Sequence, residues 1–326
     1  MGMKKMPWLA FTITLALLSS AGMNPSAADD PRIVLKKVQA ALETTYYKGL
    51  LVTVKKEGAG REEEVAKAWF GPHGQQALEI ITPAWRNGER LVVDAVNRWV
   101  HYPDCGAVLK LAAEHEPRLP QTKGALFEGT GRLENRPALI LRWEGKFGLR
   151  RVWLDAEKYV PLKREDKNAR GELVLSQALQ EVEFPSALPP ERFRLAPDPG
   201  MILYTDEAAF HQAVSLPHIQ RGVDYQIRMP EFLPSGVTFR RALLRQLPQL
   251  TVVQIRFGDN KDKAISLFEY RTTQILIPPE RQFLAEAGGG REAKLNFFRW
   301  RVGGLDMVLV GNLPLEVLRE IAKSVK

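Results

Sequence analysis

Three strand-like runs joined by two short polar turns fill residues 149–184, LRRVWLDAEKYVPLKREDKNARGELVLSQALQEVEF, and the pattern requires an antiparallel meander. In the first run Arg150, Val152 and Leu154 fall on one face and Arg151 and Trp153 on the other, the period of two that a pleated strand imposes. Residues 155–158 and 167–171 supply turn chemistry before the second and third runs, and the second turn reads as a hairpin. The meander carries long apolar and long cationic side chains, with no nucleophile, base or metal cluster among them. Such a surface holds a ligand; it is not a reaction centre.

The chain opens with Lys4 and Lys5, continues through an apolar stretch over residues 8–18 and reaches small residues at Ser26, Ala27 and Ala28, the three parts of a secretory signal peptide over 1–28. Cleavage is expected after Ala28. The apolar stretch is shorter than the roughly 20 residues that a spanning helix needs, so an uncleaved anchor is the lesser alternative. The single cysteine, Cys105, is far from that point, which argues against lipid anchoring and forbids an intramolecular disulfide. Stability must then come from packed cores, for two of which the chain is long enough. The formal net charge is +8, and removal of Lys4 and Lys5 leaves a mild basic excess. It favours acidic partners and a position peripheral to the membrane, but the basic residues are scattered and form no nucleic-acid signature.

From Pro31 the apolar residues Val34, Val38, Ala41 and Leu42 recur at helical spacing behind Asp30, predicting an amphipathic first helix. Period-two runs then predict strands at 50–55, 64–70, 75–81, 89–96, 98–102, 131–134 and 138–143. Asn87 and Gly88 give a strong hairpin signal. Between residues 103 and 123 the alternation fades and Leu109, Ala112, Ala113 and Glu116 predict a short helix. Pro185, Pro189, Pro190, Pro197 and Pro199 mark the end of a first domain, 30–195, followed by a connector, 196–221, with a helix at 206–215. A second domain, 222–326, is predicted from strands at 225–228, 238–245, 251–257, 264–270, 292–297 and 305–310 and a closing helix after Pro314.

At this point RVWLDAEKYVPLKRE with ELVLSQALQEVEF resembles the N-terminal domain of the periplasmic sigma-E regulatory family of RseB and MucB, a domain similar to the lipoprotein carriers LolA and LolB. RMPEFLPSGVTFRRALL, VVQIRFGDNKDKAISLFEY and GNLPLEVLREIAKSVK resemble the smaller C-terminal domain of the same family, so the likeness covers most of 31–326. The resemblance implies an α+β protein: a curved antiparallel half-barrel with helices on its concave face, enclosing an apolar cavity for lipid or lipoprotein acyl chains, followed by a small mixed domain. It also implies that the second domain binds the extracytoplasmic part of an anti-sigma factor. No catalytic motif and no cofactor come with it.

The aromatic side chains of the first domain are the candidates for a cavity lining: Trp69, Trp85, Trp99, Trp143 and Trp153, with Leu141. An ordinary core uses the same residues, and only one face of a strand can line a cavity. Arg240, Arg241, Arg245 and Arg256 are the candidates for partner binding, through charge-assisted hydrogen bonds to an acidic surface. On an edge strand they would only deter aggregation. His101, Asp104, Cys105, His115 and Glu116 match no zinc spacing, and Glu62, Glu63 and Glu64 read as a solvated hairpin tip. The expected function is regulation by binding, with a carrier of lipid or lipoprotein without signalling as the alternative and an envelope hydrolase behind it.

Overall fold

A computed structural model of the chain describes residues 30–57, 60–103, 106–113, 124–145, 148–247, 250–271 and 295–326. The expected signal peptide, Cys105, His115 and Glu116 lie outside the described residues. The chain starts with helix α1 (Pro31–Thr44), whose first turn is capped by the Asp30 carboxylate accepting from the Arg32 N–H at 2.8 Å. Eleven strands follow: β1 (Tyr47–Glu57), β2 (Gly60–Phe70), β3 (Gln76–Thr82), β4 (Arg90–Val93), β5 (Asn97–Tyr102), β6 (Ala107–Ala112), β7 (Ala125–Leu133), β8 (Arg136–Gly145), β9 (Gly148–Asp155), β10 (Pro161–Lys167) and β11 (Leu173–Glu183). A short twelfth strand, β12 (Ile202–Tyr204), comes after the proline-rich passage, and helices α2 (Glu207–Ala213) and α3 (Leu216–Gln220) come after it.

These twelve strands form one sheet in the order β12-β6-β5-β4-β3-β2-β1-β11-β10-β9-β8-β7. All neighbours are antiparallel except β12, which runs parallel to β6. The sheet is open, with β12 and β7 at its ends. The predicted meander is β9-β10-β11, and Asn168 closes its second turn by accepting from the Arg170 and Glu172 N–H groups.

α1 lies on one face of this sheet. Val34, Leu35 and Val38 pack there on Leu141 and Trp143 of β8 and Val152 and Leu154 of β9. Farther along the same face, Leu162, Leu179, Ala66, Ala68, Phe70 and Ile80 form a second core. Each fully buried large side chain contributes roughly 1.5–3 kcal/mol. This apolar face therefore fixes the register of the sheet.

The second unit is a five-stranded sheet, β13 (Thr238–Leu247), β14 (Leu250–Gly258), β15 (Ala264–Tyr270), β16 (Asn296–Val302) and β17 (Leu305–Gly311), in the order β13-β14-β15-β17-β16. Helix α4 (Leu315–Lys323) presses Leu318 and Ile321 onto Ile255, Phe257, Leu267 and Met307 of that sheet.

Three expectations are corrected. Residues 107–112 are strand β6 and not part of a helix: Ala107, Val108 and Leu109 are all buried, so both faces are covered and no alternation survives in the sequence. Residues 225–228 are not a strand, because the Ile227 and Arg228 N–H groups donate to the side chains of Gln220 and Glu269 and not to a neighbouring strand. The run at 89–96 shortens to Arg90–Val93, because the Asp94 carboxylate turns the chain by accepting from the N–H groups of Val96 and Asn97.

Candidate functional site

Partner residues across an antiparallel ladder share a face, so the register assigns each candidate that lies on a strand. Leu141 pairs with Val152 and Trp143 with Arg150, and both candidates lie on the face that α1 covers. Leu141 is fully buried and Trp143 is 7% exposed, so their surface is spent on the helix. Trp69 and Trp99 lie on the opposite face. They belong to a row across five strands: Trp69, Ala77, Val92, Trp99 and Lys110. Trp153 shares that second face, far along the sheet beside Lys163, whose ammonium stands 4.6 Å from its ring centroid. The predicted lining is thus divided between two faces.

The row at Trp69 and Trp99 has a physical design. The two tryptophans stand three strand spacings apart, about 14 Å, and between them Ala77 and Val92 are small enough to leave a slot. Phe193, 5% exposed, fills it. Phe193 belongs to a short 3-10 turn (Pro190–Phe193) in the proline-rich passage, which crosses this face as a strap. Arg192 stacks on Trp69 at 4.7 Å and Lys110 on Trp99 at 4.8 Å.

Beside Phe193 the strap and the sheet border an open cavity of about 540 Å³. Its apolar wall comes from Tyr46, Trp99, Leu188, Pro190, Phe193 and Leu195, and its polar groups from Gln75, Asp94 and Arg194. Asp94 accepts from the N–H of Val96 (2.7 Å), the N–H of Asn97 (2.7 Å) and the Trp99 indole N–H (3.1 Å). Burial alone would raise this carboxyl, but these donors, joined by the Asn97 side chain, outweigh it and hold it below its ordinary range. The indole of Trp99 is therefore pinned by its polar edge. Of these nine residues only Trp99 is a candidate from the sequence. Phe193, an aromatic between prolines, is the available signal for the rest.

Trp85 belongs to neither face. It sits in the β3-β4 connection at the junction with the second unit, where Gly258 of β14 lets its ring come close: a Cβ on that glycine would lie 2.8 Å from the ring. Arg86, Arg240 and Arg241 stand 5.9, 4.9 and 5.6 Å from its centroid. Arg241, 6% exposed, donates to Glu89 at 2.8 Å, and Glu89 also accepts from Arg86 at 2.7 Å. Arg86 in turn pairs with Glu64. The junction also has the Ala84 N–H donating to the Lys261 carbonyl at 3.1 Å and the Asn260 amide to the Glu62 carboxylate at 3.4 Å.

Arg240 and Arg241 are therefore engaged within the chain. Arg240 donates to the Gly258 carbonyl and to Asn260. Arg245 donates to Gln254 at 2.8 Å, and Arg256 is 2% exposed. In the same unit burial pushes the Glu269 carboxyl up to about 8, against the opposing pull of the Arg228 N–H and charge.

A second cavity, of about 330 Å³, lies where β12, α2 and α3 meet β13, among Tyr204, Phe210, Val214, His218, Ile219 and Leu244. No described helix is long and apolar enough to cross a membrane.

No family model matches this chain, and no curated protein does. Among solved structures, an uncharacterized conserved protein from Thermus thermophilus is 15% identical with a TM-score of 0.42, over 54% of this chain and 98% of that one. The MucA/MucB complex of Pseudomonas aeruginosa gives 15% identity and a TM-score of 0.36, over 91% and 98%. The chain is similar to MucB. A LolA superfamily protein from Nitrosomonas europaea gives 11% identity and a TM-score of 0.30, over 51% and 97%. All three TM-scores lie below 0.5.

Proposed function

We propose that this is an exported regulatory binding protein. Its large unit takes an amphiphilic ligand of the cell envelope, lipid or lipoprotein-like, and its second unit docks on the extracytoplasmic part of a membrane-anchored anti-sigma factor. The observation that carries the reading is the cavity under the strap. Its volume falls in the range of small-molecule sites, roughly 300–1,000 Å³. The strap that forms one wall is also the covalent lead toward the second unit, so an occupant touches the segment that joins ligand binding to partner binding. The motifs of the second unit, RMPEFLPSGVTFRRALL and GNLPLEVLREIAKSVK, support the partner half, and the basic charge of the chain supports an acidic partner.

Binding, not catalysis, fits the chemistry of the cavity. Asp94 is the only carboxylate among its lining residues, donors from Val96, Asn97 and Trp99 already engage it, and no second acid stands with it there.

The test is a pull-down from envelope extract with the tagged mature chain, read by mass spectrometry. Recovery of a membrane-anchored regulator that also binds a sigma factor is expected. If repeated pull-downs with saturating bait recover no such protein, the docking role is lost.

A further inference from the structure

The open cavity where β12, α2 and α3 meet β13 lies on the α1 side of the large sheet, away from the strap. Ala107 in its wall is two residues from Leu109, whose row runs through Val100, Leu91 and Leu78 into the second core. The walls are apolar. Phe210 stacks on Tyr102 at 4.4 Å and meets Tyr204 edge-on at 5.5 Å, and Ile219, Leu243 and Leu244 close the side toward the second unit. The charged groups of the lining are His218 and Arg221, and no acid is among them. They stand together, Arg221 Nη2 at 3.4 Å from His218 Nδ1, and among the described residues no carboxylate pairs with either. An apolar hollow with cations at its rim suits an apolar group that ends in an anion, and a guanidinium engages a carboxylate through two parallel hydrogen bonds.

Size and position select the kind of molecule. A volume of about 330 Å³ stands at the lower end of the range of small-molecule sites, roughly 300–1,000 Å³, so the occupant is a side chain or two and not a long acyl chain. Beside the hollow, β12 is the end strand of its sheet. The Ile202 N–H donates to the Gly106 carbonyl, and in this parallel ladder the alternate residue, Leu203, points its N–H and C=O outward. Ile202 and Leu203 are 56% and 47% exposed. Adding an extended peptide to a free sheet edge and capturing the carboxylate at a chain end are both recurring modes of peptide recognition.

We propose that this cavity captures the C-terminal end of an extended peptide. The last side chain, an apolar one, enters among Tyr204, Phe210 and Leu244, the terminal carboxylate lies on Arg221 and His218, and the preceding residues pair with the outer edge of β12. The site is separate from the cavity under the strap and does not rest on the proposed function. Its walls come from both units, so an occupant touches both.

The experiment is titration calorimetry on the mature full-length protein with four probes: acetyl-Thr-Val-Thr-Leu as the free acid, the same peptide as its C-terminal amide, acetyl-leucine and octanoate. The free acid is expected to bind at least about tenfold tighter than the amide, the loss of one charge-assisted hydrogen bond. It is also expected to bind tighter than acetyl-leucine, which has the carboxylate and the side chain but no strand to pair. Arg221→Gln, at an exposed position, should abolish the preference for acid over amide with an unchanged melting temperature, and His218→Gln should reduce it. Equal binding of acid and amide overturns carboxylate capture, and acetyl-leucine bound as tightly as the peptide acid overturns the pairing with β12. Octanoate bound as tightly as the peptide acid overturns a peptide as the occupant. A preference for the acid that survives in Arg221→Gln overturns the assignment to this cavity. If none of the four probes binds, the peptide site is lost, while the proposed function is judged separately by the envelope pull-down.

Discussion

Arginine stacks on tryptophan both under the strap and at the junction of the two units, and what stands behind each pair differs. At the strap, Trp69 lies beneath Arg192, an exposed side chain, and the segment is held by Phe193 in its slot. At the junction, Trp85 lies among three guanidiniums, one of which is buried against a buried carboxylate. An exposed cation over an aromatic ring is worth about 0.5–1 kcal/mol, whereas breaking a buried ion pair from one side costs about 3–5 kcal/mol. The junction is therefore fixed by charge, and the strap is held by apolar contacts, with Phe193 buried in its slot and Leu188 and Leu195 half-buried beside it. One region sets the arrangement of the units; the other has room to respond.

That contrast fails or sharpens on four substitutions. Arg241→Ala leaves Glu89 buried with Arg86 alone and is expected to cost about 3–5 kcal/mol in urea unfolding followed by fluorescence. A loss below about 1 kcal/mol would show that charge does not hold the units together. Phe193→Ala removes about 1.5–3 kcal/mol of apolar burial, confined to the strap. Limited proteolysis should cut within 185–200 at least about tenfold faster while the global melting temperature holds, and a matching global loss would make the strap part of the core.

Gly258→Ala drives a methyl group into Trp85 and is expected to cost about 1–3 kcal/mol. A neutral result would mean that the ring swings free of β14. Arg192→Ala is the smallest, about 0.5–1 kcal/mol, read as a change in Trp69 emission with little change in stability.

Much of the architecture is legible where a single cause produces the pattern. The meander over 149–184 alternates because one face is buried, under α1 at β9 and in the second core at β10 and β11, and α1 shows its stripe because Val34, Leu35 and Val38 meet the sheet. Strand β6 is not legible, since cover on both faces erases alternation. The segment at 225–228 misleads because its backbone donors are satisfied by Gln220 and Glu269, side chains that no local pattern connects to it.

The candidate site is legible only in part. Aromatic content points to the right strands, yet the face of each depends on a register that runs through bulges between Val65 and Ala66 and between Pro161 and Lys163. The strap reads as a domain boundary because prolines end regular structure. Nothing local reveals that Phe193 has a slot waiting some hundred residues earlier, between Ala77 and Val92. The arginine strand reads as open to a partner, and the glutamate that holds Arg241 is 152 positions away.

The parallel pairing of β12 with β6 has a mechanical consequence. The passage that leaves β11 in mid-sheet does not depart for the second unit; it comes back to the sheet and is anchored a second time, with Ile202 aligned to Ala107. A ribbon fastened at both ends can bow but cannot swing away. Its roughly 18 residues have a contour of at most about 60 Å, for a crossing of about 34 Å along seven strand spacings, so the slack is real yet bounded. Whatever lifts its middle must draw on the same length of chain that ends at β12 and α2, and only a displacement that uses up the slack is felt there.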